Sequence, residues 1–123
     1  MNKPLTKLPE DDAERKKIRL WKCLFKYFPD ALVGVAKLSY VANEQHNPGT
    51  EPHWDRTKSK DEFDSMLSHM LEAGSLDKDG IPHSAKVAWR ALANYQKEVE
   101  EQKLSKAVDT VAEELKQWGD AHG

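Results

Sequence analysis

Residues 46–58 hold an unusual density of reactive and stacking groups: His46, Asn47, His53, Trp54, Asp55, Arg56 and Lys58. They suit a nucleotide. An indole or imidazole stacks on a base for ~1–3 kcal/mol, Asn43 and Asn47 can hydrogen-bond the base edge, and Arg56 and Lys58 can meet phosphate oxygens. His46, His53 and Asp55 also present nitrogen and oxygen ligands, although their spacing matches no zinc motif.

A second group of residues follows at helical spacing. Phe63, Met66, Leu67, Met70 and Leu71 share one half of a helical wheel, while Asp61, Asp64, Ser65, Ser68, His69 and Glu72 share the other. Asp61 and Asp64 stand one turn apart, as do His69 and Glu72, and a hard divalent ion such as magnesium requires converging oxygens of this kind. A plain solvated face has the same pattern. Further along, His83, Lys86, Arg90, Asn94 and Lys97 form a basic stripe, with Ala85, Ala88, Trp89, Ala91, Leu92 and Tyr95 around the rest of the helix. Were the two helices antiparallel neighbours, metal carboxylates and the phosphate-binding Lys86 and Arg90 would flank one cleft. Interhelical ion pairs are the alternative. With no nucleophile-elbow serine, no Cys/His pair and no glycine-rich phosphate loop, hydrolysis here would use metal-activated water. Asp61 and Asp64, with Glu44 or Glu72, are the magnesium set, and Asp61, Asp64 and His69 the catalytic set.

The elements that must position these groups read as helices throughout. The chain has 123 residues, 33% charged and 38% hydrophobic, which suits a single small domain. Residues 1–10 form a polar arm with two prolines. A first helix runs from Asp11 through Ile18, Trp21, Leu24, Phe25 and Phe28 until Pro29 ends it. Asp30 caps a second, central helix over residues 31–45. Ser59 and Glu62 spell a capping box for a third helix, which continues to about Ala73. Gly74 stops that helix, residues 77–80 make a turn, and Pro82 opens a fourth helix reaching about Gln102. Asp77, Asp79 and Gly80 lack the remaining ligands of a calcium loop. Residues 103–123 form an amphipathic C-terminal helix whose seam of Leu104, Val108, Val111, Leu115 and Trp118 packs on the domain or on a second copy. No strand-like alternation is present, so the expected class is all-α, a compact bundle of four to five helices.

Charge and hydropathy exclude several classes of function. Net charge is -2, although residues 1–60 carry 12 Lys/Arg against 8 Asp/Glu and the remainder 7 against 13. An anionic ligand should therefore use local basic sites, and stable nucleic-acid binding is not expected. The longest apolar run falls well short of the ~20 residues of a membrane span, so no membrane partner is expected. The lone Cys23 lies among Trp21, Leu24 and Phe25 and reads as a packed thiol.

The strings KYFPDAL (26–32), NEQHNPGTEPHWDRTKSKDEFD (43–64), SHMLEAG (68–74) and HSAKVAWRAL (83–92) together resemble the bacteriophage dATP/dGTP diphosphohydrolase N-terminal domain family, a MazG-like group. The resemblance covers about residues 20–98. It implies an all-α, usually oligomeric protein that handles deoxynucleoside triphosphates in the cytoplasm of a phage-infected bacterium. Recurrent family positions match Asn43, His46, Asn47, His53, Trp54, Arg56, Lys58, Asp61, Asp64, His69, His83, Trp89 and Arg90. The paired Glu-x-x-Glu and Glu-x-x-Asp motifs of the broader MazG enzymes are missing from the matched helices, and Glu98 and Glu101 lie beyond them. The leading expectation is magnesium-dependent hydrolysis of a purine dNTP to dNMP and pyrophosphate by a homo-oligomer. The alternative is a non-catalytic, sponge-like protein that sequesters a host signalling nucleotide.

Overall fold

The computed structural model describes residues 3–58 and 60–122. The all-α class holds: helices α1 (Asp12–Arg15), α2 (Pro29–His46), α3 (Glu62–Leu71) and α4 (His83–His122) are joined by a π-helical turn at Trp21–Phe25 and a 3-10 turn at Arg56–Lys58. Among the described residues the only β-type pairing is an isolated bridge between Leu76 and Pro82.

The expected first helix is broken. Asp11 caps α1 by accepting from the Glu14 amide at 3.0 Å, but the helix stops at Arg15. Two causes act together. Arg15 and Arg19, and Lys22 and Lys26, repel at i,i+4 spacing, and the apolar face of Ile18, Trp21, Leu24, Phe25 and Phe28 is exposed, so no tertiary packing stabilises a long helix. Cys23 is likewise exposed rather than packed.

Pro29 does not end a helix; it begins one. It occupies the first position of α2, where its fixed φ and missing N–H cost nothing, and Phe28 rather than Asp30 is the cap. Only Leu38 and Asn43 of α2 are buried.

Helix α3 is rotated relative to its sequence pattern. Its inward face is Glu62, Ser65, Met66 and His69, while Phe63 (62% exposed), Leu67, Met70 and Leu71 (89% exposed) turn outward. The helix starts at Glu62 with Asp61 as cap residue. Glu62 therefore does not close a capping box, and the Ser59 half of that expectation lies outside the described residues. Glu62 pairs instead with Arg90 and Lys97 on α4. His69 meets His83, so the contacts run in opposite order along the two helices and the pair is antiparallel.

Helix α4 is one continuous 40-residue element rather than two stretches, about 60 Å long. Its first half packs on α3 and α2, and its residues from 101 onward are exposed. The connection from α3 is held by Asp77 N to Ile81 O (2.8 Å) and Gly80 N to Asp77 O (2.9 Å). Gly74 and Gly80 take positive φ there, a region that L side chains avoid.

Candidate functional site

Helix α2, the loop before the 3-10 turn, the turn at residues 77–79 and the first half of α4 enclose a cleft of about 780 Å³. Its aromatic wall is Trp54 against Trp89, edge to face with ring centroids 5.7 Å apart. Trp89 Nε1 donates to Ser39 Oγ at 3.0 Å, while Trp54 Nε1 is buried with no partner within the chain. Asn43, near the C-terminus of α2, donates through Nδ2 to Thr50 O (3.0 Å) and Thr50 Oγ1 (3.3 Å). Its own Oδ1 is buried and unpartnered. The loop keeps its course because Thr50 Oγ1 donates to Asn47 O and Asp55 Oδ1 accepts from both the amide and the hydroxyl of Thr57. The last two bonds hold the Asp55 carboxyl below its ordinary range.

The basic wall is tied to carboxylates. Lys86 Nζ reaches Asp77 Oδ2 at 2.6 Å and Asp79 Oδ2 at 2.8 Å. Burial works against the ammonium charge, yet the two carboxylates outweigh it and raise the lysine above its usual value. Asp77 is pushed down to about 2 by the Lys86 bond and the Lys78 amide. Arg90 lies 3.7 Å from Glu62, and its guanidinium is 5.4 Å from the Trp89 ring. Behind this wall His69 Nδ1 and His83 Nδ1 are 2.8 Å apart, so one ring donates and the other accepts. Burial, then His83 and Lys86, lowers the His69 imidazole below its ordinary pKa.

Of the sequence-derived nucleotide residues, Asn43, His46, Asn47, His53, Trp54, Lys58, Lys86, Trp89 and Arg90 line this one cleft, together with His69. Two lie outside its lining. His83 is 5% exposed and sits behind His69. Arg56 forms a bidentate pair with Glu100 (2.6 and 2.8 Å), its guanidinium 4.1 Å from the Trp54 ring, and lines a separate groove with Lys97 and Glu101.

The magnesium set does not come together among the described residues. Glu44, Asp61, Asp64 and Glu72 are exposed and none lines the cleft. The cause is the rotation of α3: with about 100° per residue, drawing Glu62 inward to Arg90 and Lys97 swings Asp61 and Asp64 away. The cleft uses Asp77 and Asp79 instead, which the sequence marks only as turn formers. Nothing in the spacing signals that Lys86, nine residues on from Asp77, holds both.

No helix among the described residues is long and apolar enough to cross a membrane. Searches against protein-family models, curated proteins and solved structures return no match, so the phage diphosphohydrolase resemblance rests on its motifs alone.

Proposed function

We propose that this protein binds a nucleotide in the cleft without cutting it, the base lying against Trp54 and Trp89 and the phosphates toward Lys58, Lys86 and Arg90. One observation carries the reading. Asn43 Oδ1, an acceptor, and Trp54 Nε1, a donor, are both buried and unpartnered in a cleft that also holds two indoles and three cationic side chains. Each unpaired buried group costs about 1–3 kcal/mol. A base edge carries both an amino donor and ring acceptors, the complements of these two atoms. Binding is favoured over hydrolysis because none of Glu44, Asp61, Asp64 and Glu72 lines the cleft.

The experiment incubates the chain with deoxynucleoside and ribonucleoside triphosphates and cyclic nucleotides, with and without magnesium. Mass spectrometry then reads both the supernatant and the heat-released ligand. Intact nucleotide recovered with and without magnesium is the expected result. Monophosphate and pyrophosphate released only with magnesium would replace this reading with dNTP diphosphohydrolysis, and absence of any bound nucleotide would overturn both. In the phage setting that the resemblance implies, the expected ligand is a signalling nucleotide of the host.

The binding unit is a homo-oligomer. The chain exposes 10489 Å², whereas a folded chain of 14.0 kDa exposes about 6,700 Å². That excess is larger than the roughly 1,000–2,500 Å² which each partner buries in an obligate pair. On α4, Leu104, Val108, Val111, Leu115 and Trp118 are 54% to 67% exposed at alternating four- and three-residue steps, a coiled-coil seam. The flanking Ser105, Ala107, Ala112, Gly119 and Ala121 are small, while Lys106, Asp109, Glu113, Lys116 and Asp120 fall on the opposite face. A second copy of the same seam is the complementary occupant.

A further inference from the structure

We infer that His69, Asp77 and His83 form a binding site for a divalent transition-metal ion in the wall of the cleft. The three residues come from α3, the turn and the start of α4. One ligand atom from each lies within 4.8 Å of the other two. The two Nδ1 atoms are 2.8 Å apart, and two neighbouring nitrogens on an octahedral ion at ~2.1 Å stand about 3.0 Å apart. Two imidazoles and one carboxylate are the donor set of zinc, manganese, cobalt or ferrous iron rather than of magnesium, which takes oxygen.

The surroundings support this donor set. Glu72 Oε2 lies 3.6 Å from His83 Nε2, an acidic neighbour for the ring nitrogen that does not face His69. His83 is nine-tenths buried, so packing fixes its ring. Lys86 is the opposing charge. It is matched by Asp79 as well as Asp77, and Arg90 by Glu62, so the pocket is not left with uncompensated positive charge. His69 and Asp77 line the cleft whereas His83 does not. An ion held here has three protein ligands and positions open toward the cleft rather than the closed four-ligand shell of a structural site. On the nucleotide reading, and resting on it, those positions face the phosphates beside Lys86 and Arg90.

The test uses metal alone, so it stands apart from the nucleotide reading. The full chain, stripped with EDTA, is titrated with Co²⁺ by visible absorption and with Zn²⁺, Mn²⁺ and Mg²⁺ by calorimetry. One Co²⁺ or Zn²⁺ per chain, with magnesium far weaker, is expected. His69→Gln and Asp77→Asn should each weaken binding by roughly tenfold or more, with far-ultraviolet circular dichroism unchanged. A chain that takes up no ion overturns the proposal. So does uptake that survives both substitutions, or uptake lost in His46→Gln/His53→Gln but kept in His69→Gln, which would place the ion on the loop.

Discussion

Trp54 combines a face for stacking with an indole N–H that has no partner within the chain, and Trp89 holds it edge to face. Replacing Trp54 with alanine removes both functions. Because stacking contributes ~1–3 kcal/mol per base, Trp54→Ala should raise the nucleotide Kd by about tenfold or more, and Trp54→Phe by less. Calorimetry with the nucleotide identified by mass spectrometry measures this, and an unchanged Kd for the alanine variant would remove Trp54 from the site. These residues were legible in the sequence because a loop crowded with indole, imidazole and guanidinium groups has few solvated explanations. Their division of labour was not. Arg56, expected on phosphate, is held by Glu100, 44 positions away, and no local pattern announces a pairing across that distance.

At the scale of elements, the turn between α3 and α4 sets the cleft's polar wall. Asp77 is pushed down to about 2 from 3.8, chiefly by Lys86. A carboxylate with a depressed folded-state pKa favours folding above the unfolded value, and this contribution is lost as pH falls from about 3.8 toward 2. Lys86→Met removes the main cause, so the variant should show a shallower loss of stability between pH 4 and 2 than the parent chain, read by urea denaturation. An equally steep acid limb would show that the pair does not couple to folding. Gly80 makes the same turn possible. At φ +79, with no heavy atom within 4 Å of the place a Cβ would take, Gly80→Ala meets no clash and only the backbone penalty of the left-handed region, about 1–2 kcal/mol. A denaturation midpoint that does not move would contradict this. Element positions followed from Gly74, Pro82 and the turn residues, but the break after α1 did not. Ile18, Trp21, Leu24, Phe25 and Phe28 keep helical spacing whether or not anything covers them, and all five stay exposed.

At the scale of the molecule, apolar surface is concentrated where a single chain cannot cover it: the outward face of α3, the segment around Trp21, and the distal half of α4. Leu115→Glu places a charge in the middle of the α4 seam. Exposed in one chain, it should leave helix content unchanged, while in an assembly it sets an unpaired charge against an apolar partner. Light scattering should therefore report a mass above 14.0 kDa for the parent chain and a lower mass for the variant. A parent chain that runs as a monomer, or a variant of unchanged mass, would sink the assembly.

The amino-acid sequence by itself determined the all-α class, the turn at residues 77–80 and the aromatic, cationic loop, because periodicity, proline and glycine act over a few residues. Tertiary structure alone decided which face of α3 turns inward. The apolar half of that helix argued for burying Phe63, Leu67 and Met70, yet Glu62 binds Arg90 and Lys97 while His69 meets His83, and the helix rotates to make those bonds. That rotation left the expected magnesium carboxylates outside the cleft and brought His69 and His83 beside Asp77. A helical wheel ranks faces by hydrophobicity, whereas the orientation adopted depends on charges and imidazoles contributed by a partner helix 14 to 35 residues further along the chain.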